Sequence, residues 1–437
     1  MTPTRRDFLK QGSAALAASL VGKVASVQAA PAPNLLFILT DQHRRDGVGA
    51  YGKPSVLTPN LDRIASEGIR LDRAYTAQPV CSPNRASILS GLYPHRHGVR
   101  ENNWPLSPDV HILPHLLQAN AYRTGYFGKW HLGDPARVAY DVMPSYERDG
   151  RGGGSASGWA HYYTIDDQKV YQTDVISRDI GDFIRTSDKP FYAVASFYPP
   201  HPPYSVPKRY EEMYRELYPE DQNRRRYYAM CTAVDDAVGH LLETLEAKEI
   251  ADNTLVVFTT EHGHYFDRRW NNHSKRSCYD VAARIPLLMR FPGHIPDGQE
   301  STALFSHADL FPTLAGLLGL APPEVDGIDQ SDLLQGKTEA TRDYLSIVNV
   351  PRPDRTSKPH DGPMPGEERC VRTNDWKLIL SRDRAPELYH PDNDPEERDN
   401  VWSSHRDTEV VGSLKAHLSE WASATNDPLT PRLLSSL

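Results

Sequence analysis

The sequence predicts an α/β fold with a mainly parallel central sheet flanked by helices, followed by a smaller C-terminal antiparallel sheet plus one helix. Continuous apolar runs alternate with helical patterns over most of the chain, and such runs are typical of parallel strands buried on both faces. Beyond about residue 340 the pattern changes to short strands. The composition, with 39% hydrophobic and 24% charged residues, is that of a globular protein with a large core.

The first domain is predicted from buried strands and the helices between them. The run NLLFILTDQ (34–42) is a strand that ends in polar residues, and a helix begins at Thr58–Pro59 and ends at Gly68. The later segments expected to continue this alternation are ILPHLLQANAYRTGYFG (112–128), DKPFYAVASFY (188–198), the helical stretch 223–249, NTLVVFTTEHG (253–263) and RIPLLMRFPG (284–293).

The C-terminal part is predicted as a smaller subdomain. Strands are expected in CVRTNDWKLILS (370–381) and PELYH (386–390), and a helix over about 408–424. Segments 149–158 and 349–368, rich in glycine or proline, are predicted loops. We therefore expect a large domain over 31–340 and the subdomain over 341–437.

The first thirty residues have the pattern of an export signal. A paired Arg5–Arg6 is followed by an Ala-rich apolar stretch and by small residues near Ala29. This order is typical of a twin-arginine signal peptide, whose partner is the twin-arginine translocase. We expect residues 1–30 to be removed and the protein to be periplasmic or secreted; an amphipathic first helix is the alternative.

Charge, hydropathy and cysteine spacing exclude several classes of protein. A net charge of −8 without a basic block argues against nucleic acid as the main partner. The chain has no apolar run of about 18 residues, so no transmembrane anchor is expected. The four cysteines fit neither a disulfide framework nor zinc spacing, and we expect mostly reduced, buried thiols.

Polar residues follow two of the predicted strands at the point where each strand ends. Asp41 and Gln42 follow the first, and Glu261 and His262 follow a later one. Ligands bind beyond the carboxyl ends of strands in open parallel sheets, so the two carboxylates could converge on one cation. An acid in this position also commonly caps the following helix or turn.

Three basic residues follow other predicted strands. His201 lies among four prolines, which makes it a candidate acid or base on a rigid loop, or else a surface histidine. Lys129 and His131 are two residues apart, so an extended segment would point both side chains the same way. The alternative is a solvated lysine beside a structural histidine.

Cys81 begins the pattern C-x-P-x-R with Pro83 and Arg85. Most free cysteines are small buried hydrophobic residues. Here, however, the pattern and the following ASILSGLYPHRHG resemble the type I sulfatase signature. YRTGYFGKWHLG, PHPP, TTEHG, HSKRSCYD and ELYHPDNDPEERDN then follow in the family's order, over residues 34–402. The chain is thereby identified as a member of the formylglycine-dependent sulfatases, in the alkaline phosphatase-like superfamily.

The resemblance implies a modified nucleophile. A formylglycine-generating enzyme would convert Cys81 to formylglycine, whose aldehyde hydrates to a geminal diol. One hydroxyl attacks sulfur and the alcohol leaves; the second hydroxyl then loses its proton, expels sulfate and restores the aldehyde. The intermediate thus contains its own means of release.

The resemblance also assigns roles to residues of this chain. It implies a divalent metal, Ca²⁺ with Mn²⁺ as the alternative, held by Asp41, Gln42, Glu261, His262 and the modified Cys81. Arg85 would orient the nucleophile. Lys129 and Lys275 would bind sulfate, and His131 would assist proton loss from the diol. His201, alone or together with Lys275, would protonate the leaving oxygen.

Some positions depart from the family pattern. Gln42 stands where many members have a second Asp, Glu261 replaces an Asp, His262 replaces a frequent Asn, and Asn84 replaces Ser or Thr. The function implied is hydrolysis of sulfate monoesters, expected on a sulfated carbohydrate that segments 100–106 and 265–275 could contact. Alternatives are an arylsulfatase, a phosphonate monoester or phosphodiester hydrolase, and a non-catalytic sulfated-glycan binder.

Overall fold

Two sheets of different type dominate the chain in a computed structural model. The large sheet is built from β1 (Asn34–Thr40), β2 (Ile69–Tyr75), β3 (Arg123–Gly128), β6 (Phe191–Ser196), β7 (Thr254–Thr260), β8 (Arg284–Ile285), β9 (Leu287–Arg290) and β10 (Gln299–Ser306). A separate hairpin contains β4 (Tyr162–Ile165) and β5 (Gln168–Tyr171). The C-terminal sheet contains β11 (Tyr344–Asn349), β12 (Glu368–Thr373), β13 (Lys377–Ser381) and β14 (Glu387–Tyr389).

The structure describes residues 31–53, 55–133, 139–144, 161–165, 167–266, 275–340, 342–350 and 366–437. Within this part, Pro33–Leu437 forms one compact unit. The predicted signal peptide, the loop 149–158 and most of the loop 349–368 lie outside the described residues.

The large sheet has the strand order β10-β2-β9-β7-β1-β6-β3, with β8 paired to β2. Strand β1 lies between β6 and β7 and is parallel to both, and β3 is parallel to β6. Every residue of β1, β6 and β7 is buried, as expected for strands covered on both faces. The predicted mainly parallel sheet is confirmed, and the carboxyl ends of β1, β3, β6 and β7 meet at one edge.

The segment RIPLLMRFPG (284–293) differs from the single strand predicted. It forms two short strands, β8 and β9, on either side of Pro286, and both pair antiparallel with β2. Proline has no backbone N–H to donate to the ladder, which accounts for the break.

Helices cover both faces of the large sheet. Their bounds are α1 (Pro59–Ser66), α2 (Cys81–Ser90), α3 (Pro94–His97), α4 (Leu113–Ala119), α5 (Gln172–Arg185), α6 (Lys208–Glu212), α7 (Gln222–Ala247), α8 (Asp280–Ala283), α9 (Leu310–Leu317) and α10 (Ser331–Leu334). Apolar residues of α1, α5 and α7 form one core with the sheet, and those of α2, α4 and α9 form another. All ten residues of α2 are buried.

The C-terminal sheet is antiparallel throughout, in the order β11-β12-β13-β14. It is followed by α11 (Trp402–His405), α12 (Glu409–Thr425) and α13 (Thr430–Ser435). Leu414 and Leu418 of α12 pack on Leu378 and Leu380 of β13. Strand β11 was not among the predicted strands.

The structure also bears on membrane-spanning helices and on the state of the cysteines. No helix in the described residues is long and apolar enough to cross a membrane. The four cysteines are buried free thiols, as expected from their spacing.

Candidate active site

Four buried side chains converge beyond the carboxyl edge of the large sheet. Asp41 follows β1, Glu261 and His262 follow β7, and Cys81 is the first residue of α2. One ligand atom from each lies within 4.8 Å of the others. The backbone N–H of Glu261 donates to the carbonyl oxygen of Thr40 at 3.0 Å, which holds the two strand ends in register.

The two carboxyl groups of the cluster differ in their electrostatic surroundings. Burial opposes ionisation of Asp41, yet the charges of Lys129 and Lys275 hold its pKa well below its usual range. Burial raises the pKa of the Glu261 carboxyl, against the opposing charge of Arg85, and Asp41 raises it further. The site therefore stabilises one negative charge strongly and a second only when more positive charge is near.

The imidazole of His262 is oriented with its Nε2 toward the cluster. Its Nδ1 lies 2.8 Å from the carbonyl oxygen of Gly263, to which it can only donate. Burial lowers the pKa of His262 to about 3, so the ring is neutral. Nε2 then carries a lone pair and lies 3.3 Å from Cys81 Sγ, which is the arrangement of a metal-ligating histidine.

This donor set fits a divalent cation. Asp41 and Glu261 supply carboxylate oxygens and His262 a neutral ring nitrogen, all fully buried. Oε2 of Glu261 is buried and has no hydrogen-bond partner in the described residues. Buried carboxylates of this kind are normally paired or bound to a metal. The site therefore has the charge and the ligand atoms that a hard cation prefers.

Gln42 joins the same edge through an unusual backbone conformation. Its φ of 67° lies in the left-handed region, and the carbonyl oxygen accepts a hydrogen bond of 2.8 Å from the hydroxyl of Tyr227. The side-chain Nε2 lies 2.6 Å from Nδ1 of His264. With its nitrogen held there, Gln42 can reach a cation only through its amide oxygen.

Arg85 lies behind the cluster, where it bonds to Glu261. Its Nε donates to Oε1 of Glu261 at 2.5 Å, and its Nη2 also pairs with that carboxylate. Nη1 donates to Ser196 Oγ at 2.9 Å, to the Tyr126 hydroxyl and to the Lys129 carbonyl. Arg85 thereby fixes Glu261 against β3 and β6.

Asn84 explains one departure from the family pattern. Its Nδ2 donates to the backbone carbonyl of Glu261 at 2.5 Å and also lies 2.7 Å from Nδ1 of His307. Its Oδ1 accepts from the N–H of Ala77 at 3.1 Å. A serine or threonine hydroxyl is shorter and has a single donor, whereas the amide satisfies all of these groups.

Two lysines flank Cys81. Lys275 Nζ lies 2.8 Å from Cys81 Sγ and 3.3 Å from His262 Nε2, and Lys129 Nζ pairs with Asp41. Burial and Asp41 oppose the thiolate, but Lys129 and Lys275 lower the pKa of the Cys81 thiol. The surroundings therefore favour a negatively charged oxygen or sulfur at this position.

His131 and His201 border the site from two other strand ends. The segment after β3 is not extended as the two-residue spacing assumed, since His131 has φ 64°. Its Nε2 lies 3.1 Å from Asn103 Oδ1. His201 stacks on Tyr198 at 4.7 Å, and Asp41 and Lys275 are among the charges acting on its pKa, which burial lowers well below its usual range.

The sequence did not predict the roles of several residues that shape the site. Asn102 Oδ1 accepts from the backbone N–H of Ser82 at 3.0 Å, beside the nucleophile position. Arg276 forms a bidentate pair with the buried Glu101. His264 could have been suspected from the spacing EHGH, but its partner Gln42 is 222 residues away.

Comparison with known proteins gives a consistent family. Residues 33–320 match the sulfatase family model, and residues 261–424 match the model of the C-terminal region of N-sulphoglucosamine sulphohydrolase. An ulvan-active sulfatase of Formosa agariphila is 30% identical over 92% of this chain and 83% of its own length. An N-acetylglucosamine-6-O-sulfatase of Bacteroides thetaiotaomicron is 25% identical over 85% of this chain and 82% of its own.

A solved structure shares the fold. It is described as a complex with its substrate D-glucosamine-2-N,6-O-disulfate and superposes with a TM-score of 0.78 at 23% identity, covering 91% of this chain and 98% of its own. Since the family model spans more than half of the chain and a relative at 30% identity spans nearly all of it, the chain belongs to the sulfatase family of the alkaline phosphatase-like superfamily and is a sulfuric ester hydrolase.

Proposed function

We propose that this chain hydrolyses sulfate monoesters of a sulfated carbohydrate, with formylglycine at position 81 as nucleophile and Ca²⁺ as metal. The observation that carries the proposal is the position of Cys81 Sγ, 2.8 Å from Lys275 Nζ and 3.3 Å from His262 Nε2. In the modified enzyme, a hydroxyl oxygen of the formylglycine hydrate stands in for this sulfur atom.

The residues around position 81 divide into a metal side and a sulfate side. Asp41, Gln42, Glu261 and His262 would hold the cation together with the modified residue. When bound, the cation supplies positive charge that favours the ionised hydroxyl. Mn²⁺ remains the alternative because His262 contributes a nitrogen ligand. Lys129 and Lys275 place positive charge where negative charge grows on the sulfate oxygens in the transition state.

Proton transfer falls to two histidines at the rim. The low pKa of His201 means that it carries no stored proton, so it must receive one as the substrate binds, or share the role of acid with the neighbouring Lys275. His131 is likewise kept neutral, because burial and Lys129 lower its pKa, which suits a base that takes the proton of the second hydroxyl.

A carbohydrate substrate is supported by the relative named as an N-acetylglucosamine-6-O-sulfatase. Trp104 is 37% exposed and directly follows Asn103, whose side chain contacts His131. Aromatic faces stack on sugar rings, and this surface is where we place the carbohydrate. Most of the other segment proposed to contact sugar, 265–275, lies outside the described residues.

Export is the remaining part of the proposal. The paired Arg5–Arg6 and the apolar stretch after them support a twin-arginine signal, hence a periplasmic or secreted enzyme with the translocase as partner. The formylglycine-generating enzyme would be the second partner.

Gln42 favours a second candidate function, the hydrolysis of phosphonate monoesters or phosphodiesters. The reason is that glutamine in place of this Asp also occurs in relatives that include phosphonate monoester hydrolases. The two activities separate on one assay. The purified enzyme is given an aryl sulfate, an aryl phosphonate ester and defined sulfated saccharides. A higher kcat/KM on the sulfates supports the proposal, whereas a higher value on the phosphonate overturns it.

The nucleophile is tested on the same protein. Peptide mass spectrometry of the fragment containing residue 81 should find the aldehyde or its hydrate, and Cys81→Ala should abolish turnover while leaving the fold intact. A thiol at residue 81 in fully active enzyme would disprove the mechanism. Absence of all turnover in fully modified wild-type protein would favour the non-catalytic glycan binder.

A further inference from the structure

A histidine without a role in the proposed mechanism lies directly behind Gln42. His264 is only 2% exposed, and its Nδ1 lies 2.6 Å from Gln42 Nε2. On the other side of the ring, Nε2 lies 2.8 Å from the hydroxyl of Tyr204. The three side chains thus form a line of hydrogen bonds from Gln42, through His264, to the partly buried Tyr204.

The ring of His264 is held in one orientation by its neighbours. Tyr227 stacks on it at 5.4 Å with an interplanar angle of 19°, and Phe266 meets it edge-on at 4.7 Å. Arg44 Nη1 donates to the backbone carbonyl of His264 at 2.8 Å. The ring therefore presents Nδ1 to Gln42 as a consequence of packing.

The chemistry of an amide makes this contact directional. The NH₂ group of glutamine can only donate a hydrogen bond and the oxygen can only accept one. For Gln42 Nε2 to donate, Nδ1 of His264 must accept, so the ring hydrogen lies on Nε2 and is donated to Tyr204. The opposite arrangement would turn the NH₂ group of Gln42 toward the cation, which it would repel.

We propose that His264 is a positioning residue that fixes the Gln42 amide with its oxygen toward the cation. A carboxylate has two equivalent oxygens and can bind a cation in either orientation. A glutamine amide must be oriented, and His264 would provide that orientation. This inference rests on the proposed function, in which Gln42 is a calcium ligand. Outer partners of metal ligands typically change metal affinity by about 10–100-fold when removed.

Calcium affinity tests the proposal without reference to turnover. Isothermal titration with Ca²⁺ is performed on enzyme stripped with a chelator: wild type, His264→Leu, His264→Asn and the control His97→Leu. His97 is a buried histidine, 3% exposed, that bonds to Ser87 and Val99 outside the site. We expect His264→Leu to weaken binding by about 10–100-fold. His264→Asn should recover most of it, because asparagine can place an acceptor where Nδ1 lies, and His97→Leu should match wild type.

A second background separates amide orientation from general loss of packing. Gln42→Glu has the same length and no donor, so its carboxylate cannot be turned the wrong way. The loss caused by His264→Leu should be several-fold smaller in the Gln42→Glu background than in wild type. An equal loss in both backgrounds would overturn the orienting role.

The outcomes also separate this inference from the proposed function. If wild type binds Ca²⁺ and His264→Leu binds it equally well, the inference is wrong and the proposed metal stands. If wild type binds no Ca²⁺, both fail. Should His264→Leu not fold, Tyr204→Phe tests the same line: it removes the outer hydroxyl and should weaken calcium binding, and unchanged affinity would contradict the proposal.

Discussion

At the scale of single residues, Glu261 shows how the site accommodates a longer acid. Its Oε1 is held by Arg85, while Oε2 has no hydrogen-bond partner in the described residues. The longer side chain therefore places Oε1 against Arg85, and Oε2 is left as the oxygen that could bind a metal. Its backbone carbonyl accepts from Asn84, so the residue is fixed at both ends.

This geometry predicts the behaviour of two substitutions. Glu261→Gln should lose most bound calcium and most activity, because it removes a charged ligand, whereas Glu261→Asp should keep part of both. Metal content after dialysis and kcat/KM measure the effect. Asp235→Asn, which alters a buried acid bonded to Asn60 and Leu61, is the control and should retain its metal. Full metal and full rate in Glu261→Gln would remove this residue from the proposed ligand set.

The lysine nearest the nucleophile position gives a prediction on rate. Lys275→Ala should lower kcat by about 10²–10³-fold, since removing one preorganised charge from a transition state costs about 2.7–4 kcal/mol. Steady-state kinetics on an aryl sulfate measures the loss. The control is Lys248→Ala, whose ammonium bonds the carbonyls of Ile184 and Ser187 away from the site. Near-normal kcat in Lys275→Ala would show that this ammonium does not stabilise the transition state.

At the scale of elements, two loops are joined at the mouth of the site. Arg276 pairs bidentately with Glu101, which is 1% exposed, and the neighbouring Asn102 accepts from Ser82 in the first turn of α2. The segment carrying Lys275 is thereby tied to the helix carrying Cys81. The same segment is also joined to the residues before α2, because the backbone N–H of Arg276 donates to the carbonyl oxygen of Pro79 at 3.3 Å. The ion pair is therefore one of the contacts that couple the positions of Lys275 and Cys81.

Breaking this pair should affect both stability and rate. Arg276→Leu leaves Glu101 buried and unpaired, a change that typically costs about 3–5 kcal/mol. Urea unfolding should show that loss, and kcat should fall because Lys275 is no longer held. Arg276→Lys keeps the charge without the bidentate geometry, so its free energy of unfolding and its kcat should lie between those of wild type and Arg276→Leu. Unchanged unfolding and rate in Arg276→Leu would show that the two loops are positioned independently.

The elements also show what the sequence could predict. Strands β1 and β7 and the helix α7 were predicted because they are continuous apolar runs or a long helical pattern. Strand β2 was missed because its burial alternates through IRLDRAY, with charged residues between the buried ones. Asp41 and Glu261 were placed together by the rule that parallel strands end at one edge. The roles of His264 and Asn102 depend instead on contacts with residues that are distant in the sequence or lie on other loops.

At the scale of the whole molecule, buried charge connects the C-terminal sheet to a helix of the preceding α/β part. Lys377 of β13 is fully buried, and its Nζ lies 2.7 Å from Asp280 of α8 and 2.6 Å from Glu397. Despite burial, these two acids raise the pKa of Lys377 well above its usual value. The ammonium is thus the shared partner of carboxylates from different parts of the chain.

Removing this ammonium should destabilise the molecule as a whole. Lys377→Met leaves the buried Glu397 without its cation and Asp280 with only Arg284, whose Nη1 lies 3.8 Å away. We therefore expect a loss of about 3–5 kcal/mol in the free energy of unfolding. The exposed Lys337, which pairs with Asp332, supplies the control: Lys337→Met should change stability by less than about 1 kcal/mol. Equal, small changes in both variants would show that the buried cluster adds no net stability.

The complete burial of α2 has a consequence for when Cys81 could be modified relative to folding. Cys81 is 1% exposed, and none of the ten residues from Cys81 to Ser90 lies at the surface. An enzyme that must read the side chains of Cys81, Pro83 and Arg85 can reach them only while this segment is unfolded. Oxidation of the cysteine would then precede folding, and a chain that folds first would keep its thiol permanently. If the N-terminal segment directs export of a folded chain, the relative rates of Cys81 oxidation and folding in the cytoplasm would determine the fraction of active enzyme outside the cell.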